Sequence, residues 1–123
     1  MYILTVKGGF SAAHALREYE GECEELHGHN WNVEVTVQTE GLDDVGLGVD
    51  FRVMKNVLKS ELDPLDHKFL NEVEPFDRLN PSSENLARYL FEQLSSKLNR
   101  DGVKVVEVAV GESQNVRAAY RAE

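Results

Sequence analysis

The sequence predicts an α+β protein, a four-stranded antiparallel sheet with two helices on one face in the order ββααββ. Three observations carry that expectation. Apolar and polar residues alternate with a period of two towards both ends of the chain, two central stretches repeat apolar residues at helical spacing, and short turn-rich segments join them.

Tyr2, Leu4 and Val6 alternate with Ile3, Thr5 and Lys7, giving a first strand expected to resume through Phe10 to His14 after a bulge or bend at Gly8-Gly9. Trp31, Val33, Val35 and Val37 alternate with Asn32, Glu34, Thr36 and Gln38, the clearest half-buried strand of the chain. Between Gly41 and Gly48 three glycines and two aspartates read as a loop, and Asp50 is placed to cap a helix. Phe51, Met54, Val57, Leu58 and Leu62 then recur at helical spacing until Pro64 stops the pattern. Asp66 and His67 fall in the loop that follows. Ser82 or Ser83 caps a second helix with Glu84 in its first turn, an apolar stripe of Leu86, Leu90, Leu94 and Leu98, and Gly102 as its stop. Val106, Val108 and Val110 alternate with Val105, Glu107 and Ala109 in a third strand running into Gly111-Glu112, and a fourth strand is expected from Val116 to Arg121. Four strands in so short a chain leave sheet edges exposed, and oligomerisation is one way to cover them.

No repeat or Pro/Ser-rich linker interrupts the 123 residues, so residues 1–123 are expected to form one domain. A chain of this size buries about two thirds of its unfolded surface, enough for a core without disulfides. Thirteen Lys and Arg stand against 22 Asp and Glu, a formal charge of −9 that argues against nucleic acid and anionic membrane as partners. No stretch approaches the roughly 18 apolar residues of a membrane span, and no secretory leader is evident, so the expected compartment is the cytoplasm.

The chemistry-bearing residues cluster early. His27-Gly28-His29 precedes the best strand, and residues two apart in extended backbone face the same side, so both imidazoles project together. His14 shares a strand face with Phe10 and Ala12, and pairing of the first two strands would bring a third imidazole alongside. Three imidazoles with an open fourth position describe a catalytic zinc site, whereas a lone His-x-His is equally a surface feature. The single cysteine, Cys23, has three readings: a fourth zinc ligand, an inert buried thiol, or a general base whose pKa a neighbouring cation lowers. Asp66-His67 can serve proton transfer if the carboxylate orients the imidazole, against the alternative of a solvated loop histidine. Glu112 at a strand end is either an exposed edge residue or a carboxylate awaiting an amidine-like donor pair.

Taken together, Phe10-Ser11-Ala12-Ala13-His14, Cys23-Glu24-Glu25-Leu26-His27-Gly28-His29-Asn30, Gly48-Val49-Asp50-Phe51, Leu65-Asp66-His67, Pro81-Ser82-Ser83-Glu84-Asn85 and Gly111-Glu112-Ser113 resemble, in this order, the 6-pyruvoyl-tetrahydropterin synthase family. Ser82-Ser83 stands where threonine is frequent in that family, and Gly48-Val49 replaces bulkier residues. The Cys-x-x-x-His-Gly-His spacing is similar to the 6-carboxy-tetrahydropterin synthases of queuosine and deazapurine biosynthesis, the pyruvoyl-forming branch having two more residues between cysteine and histidine.

The resemblance implies a tunnelling fold whose monomers join into trimeric barrels that pair as a hexamer, with active sites between subunits. It implies a lyase acting on 7,8-dihydroneopterin triphosphate to give 6-carboxy-5,6,7,8-tetrahydropterin, acetaldehyde and triphosphate. His14, His27 and His29 would hold zinc, Cys23 would act as the base, and His67 with Asp66 would shuttle protons. Glu112, with Ser82 and Ser83 nearby, would bind the pterin edge. The alternatives are a pyruvoyl-forming synthase, an aldolase-like activity on dihydroneopterin, and a noncatalytic zinc-binding or pterin-binding module.

Overall fold

The computed structural model describes residues 1–21 and 24–122. Strand β1 runs Tyr2–His14 and β2 His27–Thr39; helix α1 spans Phe51–Leu62, β3 Lys68–Phe69, α2 Ser83–Leu98, β4 Val103–Gly111 and β5 Ala118–Arg121. The strands form one sheet in the order β3-β1-β2-β4-β5, antiparallel throughout except for β3, which pairs in parallel with β1. The expected four strands are therefore present, with β3 as an addition. Two residues carry no readable alternation, so β3 left no trace in the sequence pattern.

Alternation decides which face is buried. Val6, Phe10 and Ala12 on β1, Trp31, Val33, Val35 and Val37 on β2, and Val108 and Val110 on β4 point into a core closed by Met54, Leu58 and Leu62 of α1 and Leu86, Leu90, Leu94 and Leu98 of α2. Both helices thus cover one face of the sheet. Asp50 accepts from the Arg52 N–H as the cap of α1, and Ser82 accepts from the Asn85 N–H as the cap of α2. Phe51, in the first turn of α1, is exposed and lies outside the buried stripe.

Three expectations need correction. No bulge occurs at Gly8-Gly9, because the β1–β2 register runs unbroken from Tyr2 opposite Thr39 to His14 opposite His27. The glycines serve close approach instead: a Cβ on Gly8 would meet Leu58 at 3.0 Å, and one on Gly9 would meet the Trp31 carbonyl at 2.8 Å. Helix α2 stops at Leu98, before Gly102, whose φ of +78° serves the turn between Arg100 and Val103. Strand β5 begins at Ala118 rather than Val116, since the backbone from Ser113 to Val116 folds back on Gly111. Among the described residues no helix is long and apolar enough to cross a membrane.

Candidate active site

The β1–β2 register makes the constellation. His14 lies opposite His27, and Ala12 lies opposite His29, so strand pairing alone puts three imidazoles on the core face at one end of the sheet. Their ring centroids lie 4.7 to 5.1 Å apart. Trp31, the next core-facing residue of β2, stands edge-on to His14 at 4.8 Å and to His29 at 5.2 Å, forming an apolar wall. Its indole N–H donates to the Ala12 carbonyl at 3.1 Å. Packing and hydrogen bonding therefore both fix the ring that backs the cluster.

The hydrogen bonds behind the rings determine which nitrogens face inward. His14, 2% exposed, donates from Nδ1 to the Pro81 carbonyl at 2.8 Å, and His27 donates from Nδ1 to the Glu25 carbonyl at 2.8 Å. A carbonyl only accepts, so both Nδ1 atoms carry the proton, and in the neutral rings each Nε2 presents a lone pair. Those two Nε2 atoms face each other at 3.1 Å. Two lone pairs at that distance repel unless a cation or proton lies between them. Backbone carbonyls that orient an imidazole in this manner are a recurrent support of metal-ligating histidines.

Glu112 completes the cluster from the turn after β4. Its Oε2 lies 3.2 Å from His14 Nε2 and 2.9 Å from His29 Nε2. The His29 nitrogen is buried, and the carboxylate approaches it out of line for a good hydrogen bond. Burial holds His29 below the ordinary histidine pKa, reinforced by its two histidine neighbours and opposed by the Glu112 charge. Gly111 makes this placement possible: a Cβ there would lie 2.2 Å from the Val116 carbonyl and 2.8 Å from that of Ser113, closing off the tight turn that aims Glu112 back at the histidines.

One ligand atom from each of His14, His27, His29 and Glu112 lies within 4.8 Å of the others. A tetrahedral ion with bonds of about 2.0–2.1 Å separates its ligand atoms by about 3.3–3.4 Å, close to the observed spacings. Nitrogen and carboxylate donors suit zinc and its neighbours in the transition series. The residues present fit such an ion.

Asp66 and His67 form a separate dyad. Asp66 Oδ2 lies 2.9 Å from His67 Nδ1, while Oδ1 accepts from the Ser11 N–H at 2.8 Å. Those contacts hold the Asp66 carboxyl below the usual range, the Ser11 amide first and His67 second. The His67 N–H donates to the Ser11 carbonyl at 2.6 Å, and the residue takes a positive φ of 58°. His67 is 81% exposed, and with His29, Asn30 and Lys68 it lines a groove of about 550 Å³. The dyad is thus anchored to β1 and shares a groove with one ligand histidine.

Ser82 sits at the cap of α2, directly after the Pro81 carbonyl that holds His14, and Ser83 is the first residue of the helix. Cys23 lies outside the described residues. Sequence reasoning missed the Pro81 and Glu25 carbonyls, which carry no side-chain signal. It also missed the approach of Glu112 to the histidines, for which Gly111 at a strand end was the available clue.

A family model described as 6-pyruvoyl tetrahydropterin synthase matches residues 3–123. The chain is 34% identical to the 6-carboxy-5,6,7,8-tetrahydropterin synthase of Synechocystis, over 88% of this chain and 85% of that protein. It is 36% identical to the dihydroneopterin monophosphate aldolase of Pyrococcus furiosus, over 86% of this chain and 85% of that protein. The solved 6-pyruvoyl tetrahydropterin synthase of Caenorhabditis elegans superposes with a TM-score of 0.82 at 27% identity, covering 100% of this chain and 98% of the other.

Proposed function

The chain belongs to the 6-pyruvoyl tetrahydropterin synthase family, and from that premise we propose that it is a zinc-dependent 6-carboxy-5,6,7,8-tetrahydropterin synthase acting on 7,8-dihydroneopterin triphosphate. The observation that carries the metal part is the facing pair of Nε2 lone pairs on His14 and His27, 3.1 Å apart and backed by carbonyls. The carboxy branch is supported by the relative named above and by three residues between Cys23 and His27.

Each residue then has a physical task. His14, His27 and His29 would hold zinc, which supplies a Lewis acid for negative charge on the substrate's side-chain oxygens. Cys23, four positions before His27, would take a side-chain proton as its thiolate. His67 would move protons to and from the side chain, with Asp66 fixing its tautomer through the 2.9 Å contact at Nδ1 and leaving Nε2 for the substrate. Glu112 would accept N–H donors from the amino-pyrimidinone edge and so orient the ring, with Ser82 and Ser83 beside it. The product would feed deazapurine synthesis in the cytoplasm.

The same reading includes a hexamer, a dimer of trimers. Its support is the outer edge of β1, where only Ala12 and Ala13 are paired with β3, while Tyr2 and Ile3 at the far end are 49% and 58% exposed. A long unpaired edge of that kind suits addition of a strand from a second copy.

A second reading is an aldolase acting on a dihydroneopterin phosphate, favoured by the Pyrococcus furiosus relative. Both reactions cleave a side-chain carbon–carbon bond, but only the synthase expels triphosphate. Incubating the zinc-loaded protein with 7,8-dihydroneopterin triphosphate tests the proposal, and absence of triphosphate release sinks it.

A further inference from the structure

Glu112 carries two tasks that one carboxylate cannot perform at once. Orienting an amino-pyrimidinone takes both carboxylate oxygens, lying in the plane of two adjacent N–H donors. In the structure Oε2 is instead engaged at the histidine cluster, 3.2 Å from His14 Nε2 and 2.9 Å from His29 Nε2. His29 Nε2 is buried without a well-formed hydrogen bond, and an in-line bond to Glu112 is what it lacks. That geometry belongs to two ligands facing a common ion more than to a donor facing an acceptor.

The surroundings allow the side chain to leave. Glu112 is 37% exposed and lies outside regular structure, in the turn that follows β4. Gly111 and the Val116 carbonyl packed above it fix the backbone, so the movement needed is a rotation of side-chain torsions. The carboxylate makes no salt bridge to any Lys or Arg among the described residues, so no fixed cation opposes the rotation.

We propose that Glu112 is an exchangeable fourth metal ligand: in the substrate-free protein its carboxylate closes the three-histidine site, and the arriving pterin draws it to the ring edge, vacating the fourth position for substrate oxygens. This rests on the zinc reading above and adds to it. The device couples ring recognition to opening of the metal, so that a molecule lacking an amino-pyrimidinone edge finds the site closed. It also makes the substrate-free protein hold its ion more tightly than three imidazoles alone would.

The test uses the full-length protein and Glu112→Gln, which keeps size and loses charge. Zinc affinity is measured by competition with a chromogenic chelator, and ligand-field absorption is recorded after cobalt substitution, with and without neopterin. The expected result is a loss of zinc affinity of about tenfold or more in Glu112→Gln, in the range for removing an interaction at a metal site. The cobalt spectrum should also change in the variant without neopterin, and in the wild type on addition of neopterin. Equal zinc affinity and identical cobalt spectra in two folded proteins overturn the proposal while leaving three-histidine zinc intact. A wild type that takes up no zinc overturns the zinc reading itself.

Discussion

Asp66 shows how one carboxylate can be both structural and functional. Its Oδ1 accepts the Ser11 amide at 2.8 Å and its Oδ2 holds His67 at 2.9 Å, so the loop after α1 is tied to β1 by the group that orients the imidazole. Because the folded carboxyl titrates below its unfolded value of about 3.9, its contribution to stability is fully present above that value and is lost as pH falls through the lower folded one. An NMR titration should place the Asp66 midpoint below that of an unstructured aspartate, and Asp66→Asn should remove that part of the acid dependence of unfolding. For Cys23 the expectation separates chemistry from binding: Cys23→Ala keeps its zinc and loses turnover by about 10²–10⁴-fold, the range for a general base. Loss of zinc in that variant would instead make the thiol a ligand. At this scale the sequence was legible where side chains carry the chemistry. His14, His27 and His29 could be assembled from strand parity alone, whereas the Pro81 and Glu25 carbonyls that turn their rings belong to the backbone and leave no mark on residue identity.

Helix α2 links the core to the site. Leu86, Leu90, Leu94 and Leu98 anchor it to the sheet, and its N-terminal cap begins one residue after the carbonyl that orients His14. Replacing the cap, Ser82→Ala, should lower stability by about 0.5–2 kcal/mol through loss of the bond to the Asn85 N–H. The same change should weaken zinc retention, because fraying of the first turn frees Pro81; thermal melts and metal analysis of the variant measure both. The caps, apolar stripes and long strands were readable in advance because each repeats a local pattern over several residues. What escaped was set by tertiary contact. Gly8-Gly9 looks like a bulge until Leu58 and Trp31 are seen against it, and β3 exists because the Asp66–His67 loop docks on Ser11.

Considered as a whole, the molecule is a sheet with one face covered by helices and one face bare. The bare side of β1 and β2 carries Thr5, Lys7, Asn32, Glu34 and Thr36, joined by contacts such as Lys7–Glu34 and the Thr5–Thr36 hydroxyl pair. A polar face and an under-paired β1 edge suit a barrel with a hydrated interior. Light scattering should therefore give a mass near six times 13.9 kDa, and a monomer at micromolar concentration would contradict the assembly. The charge of −9 also acquires a specific meaning, since a triphosphate substrate requires local positive potential inside an acidic molecule.

The most direct test of the central claim is an account of the side-chain carbons after zinc-loaded protein meets 7,8-dihydroneopterin triphosphate. A 6-carboxy-5,6,7,8-tetrahydropterin synthase yields free triphosphate, acetaldehyde and a pterin retaining one side-chain carbon as carboxylate. A pterin retaining all three side-chain carbons, or a two-carbon aldehyde still bearing the triphosphate, would contradict it.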